Sequence, residues 1–79
     1  RLEDLKTAEE NLLKARTLDP TNPQHALELG ILYARELALS DKDNEKSHIT
    51  KARQNWDQYI ELGGKNVPQV RGWIAELGA

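Results

Sequence analysis

The sequence contains no cysteine, no long apolar run and no excess of basic residues, and each absence excludes a class of protein. Without cysteine there is neither a disulfide nor a thiolate metal site, so both the cytosol and the bacterial periplasm remain open. The longest apolar run, residues 31–34, is far shorter than the roughly 20 residues that cross a bilayer. A net charge of -2 offers no basic surface to a phosphate backbone. We therefore expect a protein that neither inserts into membranes nor binds nucleic acid.

Residues suited to catalysis or metal binding are few and scattered. His25 and His48 are not three or four residues apart, so no single helix can present both to a metal ion, and we expect each at the surface. The acidic pairs Glu9–Glu10 and Asp41 with Asp43 have no nucleophile beside them, which favours solvated charge over catalysis. No glycine-rich phosphate loop is present. The sequence predicts no enzyme active site, no metal site and no cofactor.

Apolar residues in the first part of the chain recur with the period of a helix. Leu5, Ala8, Leu12 and Ala15 are spaced by three, four and three residues, which places them on one helical face. Acidic residues precede basic ones along this segment, the order that suits a helix dipole. We therefore predict a first helix over residues 2–18.

Two prolines mark the junction with a second helix. Pro20 cannot continue the first helix, and Asn22 followed by Pro23 is a typical helix start. We predict a second helix over residues 23–39, with two apolar faces that contact two neighbours and make it the most buried helix. Gly30 in its interior costs about 1 kcal/mol relative to alanine, which indicates the close approach of another helix.

The spacing of the first helix returns later in the chain. It predicts a third helix that starts within residues 40–46 and ends at the glycines 63–64. A fourth, short helix is predicted over residues 67–77, capped by Asn66 and docked through Trp73, because an isolated helix of this length is marginal in water. The repeated face of the third helix consists of Ile49, Ala52, Trp56 and Tyr59, and we expect Trp56, like Trp73, in the core.

Seven residues of the first two predicted helices and the turn between them follow a recognisable pattern: Ala8, Leu12, Ala15, Pro20, Leu29, Gly30 and Tyr33. They resemble the second helix of one tetratricopeptide repeat and the first helix of the next. The second copy stands 44 residues later, whereas the family period is about 34, which indicates about ten inserted residues within 37–46. The resemblance implies one all-α domain over residues 1–79, a right-handed solenoid fragment of four antiparallel helices. The leading repeat lacks its first helix, which implies further sequence upstream or another chain.

The same resemblance implies a protein-interaction scaffold. Members of the family bind a peptide or protein along a groove lined by the first helix of each repeat. In this chain the groove positions are Gln24, Leu27, Glu28, Ile31 and Arg35. Alternatively, Leu27 and Ile31 pack against a neighbouring helix or a second copy, which makes the chain a structural or self-associating element, or a non-catalytic appendage of a larger protein.

Overall fold

The computed structural model describes residues 1–78, and the regular elements within them are helices. A 3₁₀ turn, Lys42–Asn44, precedes the third helix. No strand occurs in this part of the chain. The predicted all-α class and its four helices are therefore confirmed. We label the helices α1 (Leu2–Leu18), α2 (residues 23–40), α3 (Glu45–Glu61) and α4 (Val67–Leu77).

Helix α1 lies on the edge of the fold. Leu2, Leu5, Ala8 and Leu12 pack against the core, as their spacing predicts. None of its residues is fully buried, however. The observed bounds match the predicted range of 2–18, because the apolar spacing begins with Leu2 and Pro20 follows directly after the C-terminal cap.

The junction between α1 and α2 is closed by a side-chain cap. The Asn22 side-chain oxygen accepts a hydrogen bond from the backbone N–H of Gln24, at 3.0 Å. Asn22 is extended at φ -83 and ψ 113, the conformation that this cap needs, and Pro23 occupies the first helical position. The predicted cap at Asn22 is confirmed.

Helix α2 changes its winding midway. Pro23–Ile31 is α-helical, Leu32–Leu37 is π-helical and Ala38–Ser40 is α-helical again. The π-helical stretch places Leu32, Tyr33 and Leu37 in the core. Buried residues occur along the whole of α2, which confirms that it is the central helix of the fold. The sequence did not predict the π-helical winding.

Helices α2 and α3 cross at Gly30, which is buried. A Cβ atom at this position would overlap the Trp56 indole ring, so only glycine leaves the ring enough room. The indole N–H donates a hydrogen bond to the carbonyl oxygen of Leu27, at 3.3 Å. The prediction that Gly30 is a point of close helix contact is confirmed.

The core consists of two clusters. Leu29, Leu32, Tyr33, Leu37 and Ala52 form the first cluster, between α1, α2 and α3. Ala26, Trp56, Tyr59 and Val70 form the second cluster, which holds α4 against α2 and α3. Trp56 is buried, as predicted, whereas Trp73 is half-buried and packs against the second cluster with its ring centroid 5.4 Å from that of Trp56.

The turn between α3 and α4 uses glycine in two ways. Gly63 takes a positive φ of 80°, as predicted for the end of α3, and Gly64 lies against the Tyr59 ring. The backbone N–H of Asn66 donates to the Tyr59 hydroxyl at 2.8 Å. The predicted side-chain cap at Asn66 is wrong, because its ψ of 44° lies outside the extended region that such a cap needs.

The four helices form a flat molecule. The Cα atoms span 32 × 32 × 14 Å. Helix axes pack about 8–10 Å apart, so a Cα thickness of this size corresponds to two layers of helices. In so thin a fold, most helices keep one face in solvent.

Candidate functional site

The five predicted groove residues lie along one side of α2. Gln24 and Arg35, near its two ends, are exposed. Leu27, Glu28 and Ile31 lie between them and are half-buried. Along α2, half-buried apolar side chains thus lie between an exposed polar residue on either side.

Helix α4 borders this surface and covers part of it. Leu27 and Ile31 pack against the second core cluster, to which α4 contributes Val70. The Arg35 guanidinium carbon lies 4.5 Å from the centroid of the Trp73 ring, a cation–π contact between α2 and α4. Leu27 and Ile31 therefore have two roles: their inner sides contribute to the core, and their outer sides remain accessible.

A cavity of about 330 Å³ opens at the Gln24 end of the surface. It lies between the start of α2 and the turn that leads into α4. Its floor is the Tyr59 ring, and Lys65 supplies its one cation. The remaining lining residues are Asn22, Pro23, Gln24 and Asn66.

A second, polar cleft of about 560 Å³ separates α1 from α3. Arg16 of α1 reaches across it and donates hydrogen bonds to the side-chain oxygens of Asn55 and Gln58, the latter at 3.4 Å. The Asn55 amide in turn donates to the carbonyl oxygen of Lys51, at 2.8 Å. The hydrogen bonds from Arg16 to Asn55 and Gln58 join α1 to α3 across the cleft. Its full lining is Glu9, Leu13, Arg16, Tyr33, Lys51, Gln54, Asn55, Gln58 and Glu61.

Tyr33 connects this cleft to the core. Its hydroxyl donates a hydrogen bond of 2.5 Å to the Glu9 carboxylate. Burial, followed by this hydrogen bond, raises the pKa of the Tyr33 phenol well above its usual range. Glu9 is half-buried, so its interpretation as a freely solvated charge is wrong. Helical spacing alone did not reveal this, because the partner of Glu9 comes from another helix.

His48 is buried, whereas the sequence predicted a surface residue. It is 7% exposed, and its Nε2 lies 3.0 Å from the Asp41 carboxylate. Its ring stacks on the Tyr33 ring at a centroid distance of 6.0 Å. The prediction is wrong because Asp41, at the end of α2, supplies the polar partner that lets an imidazole enter the core.

Asp41 is likewise more than a solvated charge. The hydrogen bond from His48, and then one from the Asn44 amide at 3.0 Å, lower the pKa of its carboxyl group. The turn before α2 has the same construction: Asp19 accepts from the Asn22 amide at 3.0 Å and lies 3.3 Å from His25 Nε2. An Asp-x-x-Asn pattern at both helix junctions is the sequence signal that could have revealed this.

Among residues 1–78, no three His, Asp or Glu side chains are grouped to hold a metal ion. In the same range no helix combines the length and apolarity needed to cross a bilayer.

Comparison of the chain with protein-family models, curated proteins and solved structures gave no match.

Proposed function

We propose that the chain is a protein-interaction module of tetratricopeptide type, which binds a peptide or protein segment along the outer side of α2. The proposal is based mainly on the crossing of α2 and α3 at Gly30. Glycine has a low helix propensity, but at this position it leaves room for the Trp56 indole ring. A glycine at this crossing is the residue that the family pattern requires. We propose that α2 presents Gln24 to Arg35 to the ligand, although Leu27 and Ile31 also pack against the second core cluster.

The dimensions of this surface suit an extended segment. Gln24 and Arg35 are separated by three helical turns, or about 16 Å. At about 3.3 Å per residue, an extended strand of about five residues covers that distance. The proposed ligand is therefore short and unstructured before it binds.

The chemistry of the surface favours a mixed ligand. Leu27 and Ile31 offer apolar contact in the centre, Arg35 offers a cation at one end, and Glu28 offers a carboxylate between them. A carboxylate clamp of the kind known in this family needs lysine and asparagine where Leu27 and Ile31 stand. We therefore propose that apolar side chains of the ligand, and not a chain-terminal carboxylate, provide most of the affinity.

A peptide library tests this proposal. Displayed random peptides are selected against the 79-residue chain, and the enriched peptides are then measured against the Ile31→Lys variant. We expect a loss of affinity of at least about tenfold, because a charge replaces the apolar centre of the surface. Circular dichroism checks that the variant retains its helices.

Ile49→Lys is the matched control, because Ile49 is also half-buried but lies on α3, away from the proposed surface. Its affinity for the selected peptides should equal that of the unmodified chain. Peptides that bind equally well to both variants, or a selection without enrichment, would contradict the proposal.

A further inference from the structure

The apolar spacing of α1 returns in α3 at an offset of 44 residues. In this register α3 corresponds to α1 and α4 corresponds to α2, so that Trp56 takes the position of Leu12 and Ile74 that of Gly30. Helix α3 packs on α2 at Gly30. Within residues 1–78, no helix packs on α4 in the equivalent way, because α4 is the last element. Within these residues, α4 thus lacks the neighbouring helix that α3 provides for α2.

The position that such a helix would take is a groove between α3 and α4. It forms a cavity of about 420 Å³ with Ile60 and Ile74 as its apolar part. Asp57, Glu61 and Arg71 supply its charged walls. Asp57 and Ile60 correspond to Leu13 and Arg16 of α1, which face α3 across the polar cleft. The groove is therefore the counterpart of the surface on which α3 lies.

Helix α1 packs against the first core cluster but is only partly covered. None of its residues is fully buried, and Leu18 at its end is 85% exposed. Leu13 and Leu18 line an open apolar cavity on its outer side, together with Lys14 and Thr17. Helices α1 and α3 both have 17 residues. Helix α1 is therefore long enough to lie along the α3–α4 groove in the way that α3 lies along α1 and α2.

The side-chain sizes of α1 and α4 are complementary. At the crossing of α2 and α3, a glycine accepts a tryptophan. If α1 packed on α4 in the same way, Leu12 of α1 would face Ile74 of α4. Two side chains of medium size would then fill the space that the tryptophan and the glycine fill where α3 crosses α2. Trp56 contacts both α2 and α4, which shows that a residue in this position can serve two helices at once.

The charges are complementary as well. Gln58, the counterpart of Lys14, reaches toward Arg16 on the neighbouring helix. Arg16 corresponds to Ile60, which Asp57 and Glu61 flank in the groove. A helix α1 placed in this groove therefore brings its Lys14 ammonium group to two exposed carboxylates.

We propose that α1 of a second copy of this chain packs into the α3–α4 groove, with Lys14 against Asp57 and Glu61. The two surfaces are different parts of the chain, so the contact is head-to-tail and can be repeated from copy to copy instead of closing as a dimer. The α2 surface with Leu27 and Ile31 remains accessible in this arrangement. Self-association is therefore independent of the proposed peptide binding.

Sedimentation of the 79-residue chain at increasing concentration tests this inference. We expect species larger than a dimer, and Lys14→Glu or Asp57→Lys alone should weaken association at least about fivefold, because each places like charges together. An equal mixture of the two variants should associate again, since the glutamate introduced into α1 of one variant then meets the lysine introduced into the groove of the other. Both positions are exposed, so the fold should be retained.

Two controls separate this contact from others. Lys46→Glu makes the same charge change at an exposed position on another surface and should leave sedimentation unchanged. Ile31→Lys should also leave it unchanged, although it abolishes peptide binding under the proposed function. A concentration-independent monomer, association that Lys14→Glu does not weaken, or a mixture that does not recover would each overturn the inference.

Discussion

At the scale of single residues, the two helix-interior glycines Gly30 and Gly72 differ in what surrounds them. A Cβ on Gly30 would overlap the Trp56 indole, whereas a Cβ on Gly72 would meet nothing within 4 Å. Gly30→Ala should therefore lower the free energy of unfolding by about 1–3 kcal/mol through overpacking. Gly72→Ala should raise it by about 0.5–1 kcal/mol, because alanine restricts the unfolded chain and favours the helix.

Urea unfolding of both variants, followed by circular dichroism, measures the two changes. The pair is matched, since the same substitution is made in both helices and only the surroundings differ. If Gly30→Ala proved as stable as Gly72→Ala, the close packing of Trp56 on α2 would be refuted.

The sequence predicted the burial of apolar residues but not that of polar residues. Apolar spacing located Trp56 and Ala52 in the core, because a helix repeats its faces at a fixed interval. It did not locate His48, whose burial depends on a carboxylate that the preceding turn supplies. Whether a polar residue is buried depends on its hydrogen-bond partner and not on helical spacing. Its burial can therefore be predicted only when the fold that brings the two residues together is known.

At the scale of elements, the two Asp–Asn–His turns have the same bonds but different exposure. The side chains of Asp19 and His25 are 54% and 19% exposed, whereas those of Asp41 and His48 are 14% and 9% exposed. Loss of the carboxylate should therefore matter more in the second turn, where less water is available to replace it.

Acid unfolding tests this difference. The pKa of Asp41 is lower in the folded state than in the unfolded state, so its stabilising effect is complete above the usual carboxyl pKa of about 4 and is lost as the pH falls below it. In Asp41→Asn this effect is absent, so the stability difference between wild type and variant should shrink from about pH 6 to about pH 3. Urea unfolding at each pH measures it.

Asp19→Asn provides the control for that experiment, because it makes the same change in the more exposed turn. Its stability should stay closer to that of the wild type across the pH series. A difference for Asp41→Asn that stayed constant with pH would show that the carboxylate does not stabilise the turn through its charge.

The ends of the helices could be predicted wherever proline, asparagine or glycine marks them in the sequence. Pro20, Asn22 and Pro23 defined the α1–α2 junction, and Gly63 defined the end of α3, because each restricts or frees the backbone in its own way. The polar stretch before α3 carries several equivalent cap residues, so its start was ambiguous. The π-helical winding of Leu32–Leu37 depends on packing against two helices and leaves no local signal.

At the scale of the whole molecule, the flat shape distributes stability unevenly. Helices α2 and α3 hold both core clusters, whereas α1 has no fully buried residue. We expect α1 to open before the rest of the chain unfolds, with amide exchange at a free energy at least about 1 kcal/mol below that of α3.

Native-state hydrogen exchange measured by NMR on a dilute sample tests that expectation. The amides of Ala8 and Leu12 should exchange faster than those of Ala52 and Trp56. At high concentration the difference should narrow if a second copy covers α1. Equal protection of both helices in dilute solution would show that the chain opens only as a unit.

The candidate binding surface on α2 remains a prediction from the sequence. The positions from Gln24 to Arg35 lie on one side of α2, as helical geometry requires. The sequence left open whether Leu27 and Ile31 face a partner or a neighbouring helix. In the structure both residues are half-buried and pack against the second core cluster, which is a result of tertiary packing.

The wide turn at Leu32–Leu37 has a consequence for how this chain can vary in length. A π-helical turn contains more residues than an α-helical turn, so removal of one residue there can be absorbed by a return to ordinary winding. The two ends of α2 would keep their facing, whereas a deletion elsewhere in the helix would rotate one end by about 100°. Glu36 is exposed and lies within this turn, so it is the position at which we expect a one-residue deletion to leave both ends of α2 packed as they are.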